Sequence, residues 1–188
     1  MTTKIAVFAS GSGSNFQAIQ EAIEHGVLDA KIELVVTDKP GAYVVTRANN
    51  FQLEVLQLAP KDFSTKQEYE KIIVEELRKR DVQWVVLAGY MRLIGDVLLD
   101  AYTKRIVNIH PSLLPSFPGK DAIGQAMAHG VKVTGVTVHY VDAGMDTGPI
   151  IAQEAVNVVE GNREETEKLI HTVEHTLYTS TLKKIFTK

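Results

Sequence analysis

Trp84-Val85-Val86-Leu87-Ala88 is an unbroken apolar run rich in β-branched residues. A strand with one face in water alternates apolar and polar side chains, so a run without a polar member belongs to a strand buried on both faces. That is the signature of a parallel sheet covered by helices on either side. Working outward, related runs stand at Ile5–Ala9, Ile32–Thr37, Val55–Leu58 and Ile106–His110, each separated from the next by helix-like sequence. The first such helix repeats Phe16, Ile19 and Ile23 at three and four residues and meets Gly26 where a C-terminal cap belongs. Others are predicted over about Ala42–Asn50 and Thr65–Lys79.

Toward the C-terminus the rhythm changes. After a predicted helix near Ala122–His129, the strand-like segments Val133–Val141 and Ile150–Val158 are joined by only eight residues, Asp142 to Pro149. That link is too short for a crossover helix, so the two segments should pair antiparallel. A last helix is predicted over Arg163–Phe186. The expected fold class is α/β: a doubly wound, mostly parallel sheet with a C-terminal antiparallel strand pair and a closing helix, forming a single domain over residues 1–188.

Composition narrows the function. A net charge of -3 and a pI near 6.1 argue against broad nucleic-acid binding, which usually shows as a basic face. The absence of cysteine excludes disulfides, thiolate catalysis and Cys-based zinc sites. No apolar run approaches the ~20 residues of a membrane span, and Met1-Thr2-Thr3-Lys4 leads into a strand rather than a signal peptide. The expected location is the cytoplasm.

Two polar clusters punctuate the apolar second half: Asn108-Ile109-His110-Pro111-Ser112-Leu113-Leu114-Pro115 and Asp142-Ala143-Gly144-Met145-Asp146-Thr147-Gly148-Pro149. An amide, an imidazole and a carboxylate (Asn108, His110, Asp146) can polarise a carbonyl, donate a proton and collect one, which is the chemistry of acyl transfer. His110 ends a predicted strand, where open α/β sheets gather their ligands. A Ser-His-Asp hydrolase built on Ser112 is the weaker reading, because no Gly-x-Ser-x-Gly elbow presents that serine.

Ser10-Gly11-Ser12-Gly13-Ser14-Asn15 follows the first strand and opens the first helix, so its backbone N–H groups suit an anion such as phosphate. The dinucleotide fingerprint fails at its third glycine, which is Phe16, although Asp38 could imitate the ribose-binding acid. The Walker pattern lacks its Gly-Lys-Ser/Thr ending. An unliganded Gly/Ser-rich turn is the bland alternative.

Among the histidines, His25 and His129 precede glycines at helix C-termini, where they complement the dipole. His139 alternates with apolar residues and reads as a packed or surface residue. His171-Thr172-Val173-Glu174-His175 has the spacing of a zinc-binding helix, yet no Asp, Glu or His follows to complete the ligand set. A solvent-facing edge, or a substrate-facing edge with Glu174 accepting from an amine, remain as alternatives.

The chain resembles the phosphoribosylglycinamide formyltransferase family of folate-dependent enzymes. The matching stretches are Gly11 to Asn15, Leu87-Ala88-Gly89-Tyr90-Met91-Arg92, Asn108 to Pro115, Phe117-Pro118-Gly119, Val133 to Pro149 and Glu174-His175-Thr176-Leu177-Tyr178. The resemblance implies transfer of the formyl group of 10-formyltetrahydrofolate to the amine of glycinamide ribonucleotide through a tetrahedral intermediate, without a metal. It implies that Asn108, His110 and Asp146 are catalytic, and that Gly13, Ser14, Asn15, His171 and Glu174 hold the ribonucleotide. It also implies a folate site made of Lys66, Met91, Arg92, Leu93, Ile94, Asn108, Asp142, Ala143, Gly144, Met145 and Asp146, with Lys66 where relatives often carry Arg. Partners are then the two substrates, with no nucleic acid or membrane, in a monomer or homodimer. Two other classes remain: a formylfolate hydrolase, with water in place of the amine, and a phosphometabolite-binding module.

Overall fold

The computed structural model describes residues 1–187. Five strands, β1 (Thr3–Phe8), β2 (Ala30–Thr37), β3 (Val55–Gln57), β4 (Trp84–Leu87) and β5 (Ile106–His110), run parallel. Between them come α1 (Ser14–Glu24), α2 (Tyr43–Asn50), α3 (Lys66–Lys79) and the short α4 (Asp96–Ala101). After α5 (Ala122–His129), β6 (Val133–Tyr140) and β7 (Ile150–Asn157) complete a seven-stranded sheet of order β3-β2-β1-β4-β5-β6-β7. The short link does turn β7 back antiparallel on β6, and β6 itself pairs antiparallel with β5, which brings the C-terminal pair into the main sheet. The 24-residue α6 (Arg163–Phe186) closes the chain.

The unbroken apolar strands have the expected cause. Ile5, Val7, Val86 and Val107 point to one face, where they meet Phe16 and Ile19 of α1 and Ile170, Tyr178 and Leu182 of α6. Their neighbours Ala6, Phe8, Val85 and Leu87 point to the other and pack on Tyr69, Ile73 and Leu77 of α3 and Leu98 of α4. Tyr178 crosses this core completely buried, its hydroxyl within 2.8 Å of the Leu87 carbonyl oxygen and 3.2 Å of that of Val107. It ties α6 to the carboxyl end of β4 and to β5.

Local signals set the helix ends. Thr65 Oγ1 accepts from Glu68 N at the start of α3, and Asn162 Oδ1 accepts from Glu165 N at the start of α6. α4 is capped from a distance: the buried Glu70 carboxylate, on α3, accepts from Gly95 N at 2.6 Å and Leu98 N at 3.3 Å. The Leu114–Pro115 bond is cis.

Candidate active site

From β1 the chain moves outward to β2, and from β4 it moves the opposite way to β5. The loops beyond the carboxyl ends of β1 and β4 therefore diverge, and a crevice opens at this switch point. A cavity of about 560 Å³ occupies it.

One end is the loop after β1, with Gly11, Ser12, Gly13, Ser14 and Asn15 all in the wall. Gly13 has φ 75°, and a Cβ there would come within 2.6 Å of Val44 Cγ2, so only glycine lets α2 pack this closely against the start of α1. Arg47 of α2 donates from Nε to Ser12 O at 2.7 Å, fixing the loop from behind. Free N–H groups of the first turn of α1 belong to this end of the cavity. The Oδ1 atom of Asn15 is buried and has no partner among the described residues. Asp38 does not take the place of a ribose-binding acid: it is buried, accepts from Ser10 Oγ at 2.5 Å and is not in the cavity wall.

The trio converges at the centre. Asn108 and His110 are two apart on β5 and so share a face, and Asp146 reaches them from the β6–β7 link, where it adopts φ 55°. His110 Nε2 lies 2.9 Å from Phe117 O, and Nδ1 lies 3.5 Å from Asp146 Oδ2. A carbonyl only accepts, so Nε2 carries a hydrogen and Nδ1 is the nitrogen turned to the carboxylate. Gly119 N donates to the same Asp146 oxygen at 2.8 Å.

His139 is a member of this site that the sequence reading placed elsewhere. It is packed, as expected, but its Cα is paired across the sheet with Asn108, and it lines the cavity. Its Nδ1 donates to Tyr140 O at 2.8 Å, which leaves Nε2 as a lone pair 3.2 Å from Asn108 Nδ2 and 3.8 Å from Asp146 Oδ1. Burial pushes its pKa down and favours this neutral form, against the smaller opposing pull of Asp146. The signal that finds it is the register of β6 on β5, which periodicity within one strand does not contain.

The far wall is largely apolar. Met91, Arg92, Leu93 and Ile94 come from the loop after β4, with Gly144, Met145 and Asp146 opposite. Arg92 stacks its guanidinium over the Tyr69 ring at 5.5 Å. Three residues expected at the folate do not line the cavity. Asp142 instead accepts from Gly144 N and Thr147 Oγ1, holding the turn of the link, and Ala143 lies within that turn. Lys66 is the first residue of α3, with its side chain against Gly95 behind the loop.

On α6, His171 and Glu174 both face the cavity, with His171 Nδ1 2.7 Å from Glu174 Oε2. The next histidine diverges: His175 Nε2 is buried without a partner, and burial lowers its pKa. Among the described residues no three His, Cys, Asp or Glu side chains are grouped so as to hold a metal ion. Ser112 is fully buried and gives its hydroxyl hydrogen to Ser116 O at 2.6 Å, which removes it as a nucleophile.

The chain and its fold have counterparts among known proteins. The family model described as formyl transferase matches residues 3–182. The chain belongs to the formyl transferase family. Within it, the chain is 54% identical over 183 residues to the phosphoribosylglycinamide formyltransferase of Bacillus subtilis (strain 168), covering 97% of this chain and 94% of that one. The crystal structure of phosphoribosylglycinamide formyltransferase from Bacillus halodurans superposes with a TM-score of 0.96 at 53% identity, over 99% of this chain and 96% of that one. Glycinamide ribonucleotide transformylase 1 from Geobacillus kaustophilus gives 0.95 at 55% identity, over 98% and 99% of the two chains. The formyl transferase fold, with its mostly parallel sheet and antiparallel end, is thus the fold of this chain.

Proposed function

We infer that this chain is a phosphoribosylglycinamide formyltransferase: it transfers the formyl group of 10-formyltetrahydrofolate to the amine of glycinamide ribonucleotide in purine biosynthesis. The observation that carries this reading is that one cavity contains the phosphate loop, Glu174 and the trio together, so a phosphorylated amine and an acyl donor fit side by side. Gly13, Ser14 and Asn15 would hold the phosphate, and Glu174 would accept from the amine. Met91 to Ile94 and Gly144 to Asp146 would enclose the folate, whose flat ring suits an apolar slot edged by backbone polar groups.

The amine attacks the formyl carbon in its neutral form. Charge then develops on the formyl oxygen, and the groups placed to meet it are the second N–H of the Asn108 amide and His110 Nδ1, since Nε2–H is committed to Phe117 O. Asp146, beside Nδ1, offsets the charge of a protonated ring and collects the surplus amine proton through a bridging water. Gly144 and Gly148 stand where a Cβ would strike Thr147 Oγ1 and the Tyr140 carbonyl oxygen, so the β6–β7 link can turn tightly beside the cavity, where it would keep bulk water from the formyl group.

The test mixes purified protein with 10-formyltetrahydrofolate, with and without glycinamide ribonucleotide, and follows products by mass spectrometry. Formylated ribonucleotide is expected only when both are present. Equal folate turnover in both tubes, releasing formate, would instead establish a hydrolase. Saturable binding with no change in the folate would leave a binding module.

A further inference from the structure

Residues 117–121, the last three of which line the cavity, follow a backbone that ordinary side chains avoid. Phe117, Gly119 and Asp121 have φ of 54°, 78° and 52°, so every second residue is left-handed. Only the middle one is glycine, and a Cβ there would also come within 3.1 Å of Met145 Sδ. Phe117 and Asp121 adopt this conformation at a cost, so contacts from outside the segment have to hold it. Its two ends are held. The Phe117 ring packs edge-to-face with His129 of α5 at 5.3 Å, and the Asp121 carboxylate accepts from both terminal nitrogens of Arg163.

The middle is held by Gln125. A helical side chain leans toward the N-terminus of its helix, so the fourth residue of α5 can reach back to the segment before it. Gln125 Nε2 donates to Pro118 O at 2.9 Å and to Lys120 O at 2.8 Å. Both partners are carbonyl oxygens, which only accept, so the amide can face only this way and both its hydrogens are committed. Pro118 O and Gly119 N–H are the two ends of one planar trans peptide and point in opposite directions. Gripped at its oxygen by Gln125, that peptide aims its N–H at Asp146 Oδ2, 2.8 Å away. The same carboxylate oxygen lies 3.5 Å from His110 Nδ1.

We propose that Gln125 is a positioning residue for the transfer reaction: by gripping the peptide between Pro118 and Gly119 it sets where the Asp146 carboxylate stands against His110. The proposal deepens the function inferred above and rests on it. Gln125 is not in the cavity wall, so it acts through Asp146 and not by contact with a substrate. Without its two donors the peptide is free to turn, the Gly119 N–H leaves Oδ2, and the carboxylate loses the contact that keeps it beside the imidazole.

The experiment is a double-mutant cycle on formyl transfer at saturating donor, with wild type, Gln125→Met, Asp146→Asn and the double variant. Methionine keeps the length of the side chain and removes both donors; Gln125→Ala, which removes the stem as well, is run alongside and is expected to behave alike. Gln125→Met is expected to lower kcat about tenfold, with the KM for ribonucleotide within about twofold of wild type. In the Asp146→Asn background the same change is expected to cost less than about twofold, because the charge it positions is gone. Hydrogen exchange at the Gly119 amide is expected to speed up about tenfold in Gln125→Met, a readout that needs no turnover. Wild-type kcat in either Gln125 variant, a loss that multiplies in full with that of Asp146→Asn, or unchanged exchange at Gly119 each overturns the proposal. A wild-type protein that forms no formylated ribonucleotide removes the function and this proposal together, whereas active wild type with any of those three results removes Gln125 alone.

Discussion

His139 Nε2 accepts a hydrogen bond from Asn108 Nδ2 across the β5–β6 pair. Because Tyr140 O takes the hydrogen of Nδ1, the ring can act here only as an acceptor while it is neutral, and it thereby decides which way the Asn108 amide faces. His139→Ala should free the amide to rotate and cut kcat by about tenfold or more, with the KM for ribonucleotide little changed. A variant with normal kcat would show that the amide is oriented by something else.

The trio makes a sharper prediction. His110→Ala and Asp146→Asn are each expected to lower kcat by roughly 10²- to 10³-fold. Asn tolerates the positive φ of position 146, so Asp146→Asn tests charge without disturbing the link. Circular dichroism melts should match wild type, and near-normal turnover in either variant would defeat the assignment.

At the other end of the cavity, Asn15→Ala removes the buried, unpartnered Oδ1. The expected result is a KM for ribonucleotide raised about tenfold with kcat largely kept, because the phosphate is held equally before and during attack. An unchanged KM would argue against the phosphate loop.

Tyr178→Phe deletes a completely buried hydroxyl and leaves the carbonyls of Leu87 and Val107 without it. The cost should be about 1–3 kcal/mol, or a melting point lower by some 2–4 °C for each kcal/mol in a chain of this size. Equal melting points for the two proteins would mean that water replaces the hydroxyl at no cost.

Stability should also depend on pH. Burial holds His139 and His175 below the ordinary histidine value, so as pH falls through about 6.5 the unfolded chain binds protons at these rings before the folded one does. Their contribution is present above that pH and is lost on the way down to the folded values. His171, raised by Glu174, acts in the opposite sense: its contribution is full below about 6.5 and is lost as pH rises through its folded value. Urea midpoints are therefore expected to fall between pH 6.5 and 5, and His175→Gln should reduce the fall. A midpoint that rises on acidification would contradict the burial of these two rings.

Most of the fold could be read locally. The runs at Ile5–Ala9 and Trp84–Ala88 declare strands buried on both faces, and the eight-residue link leaves β7 no choice but to turn back on β6. The bounds of α4 could not be read, since its six residues hold little periodicity and its cap, Glu70, comes from another helix. Site residues divide the same way. Asn108, His110 and the Ser10–Asn15 loop are marked by position at strand ends. His139 depends on register between strands, and the roles of Lys66 and Asp142 depend on which side of a loop the side chain takes. These are tertiary facts, invisible to spacing.

Ser10 gives its hydroxyl hydrogen to Asp38 and receives one from Met91 N at 2.8 Å, so a single oxygen fastens the loop after β1 to the loop after β4. Under the proposed assignment, the two substrates are served by floors that share a rivet. An engineer who exchanges the Met91–Ile94 segment to admit a different acyl donor would then also disturb the loop proposed to hold the nucleotide, unless Ser10 and Asp38 travel with it. The site is therefore not modular: its donor and acceptor halves have to be redesigned as one piece.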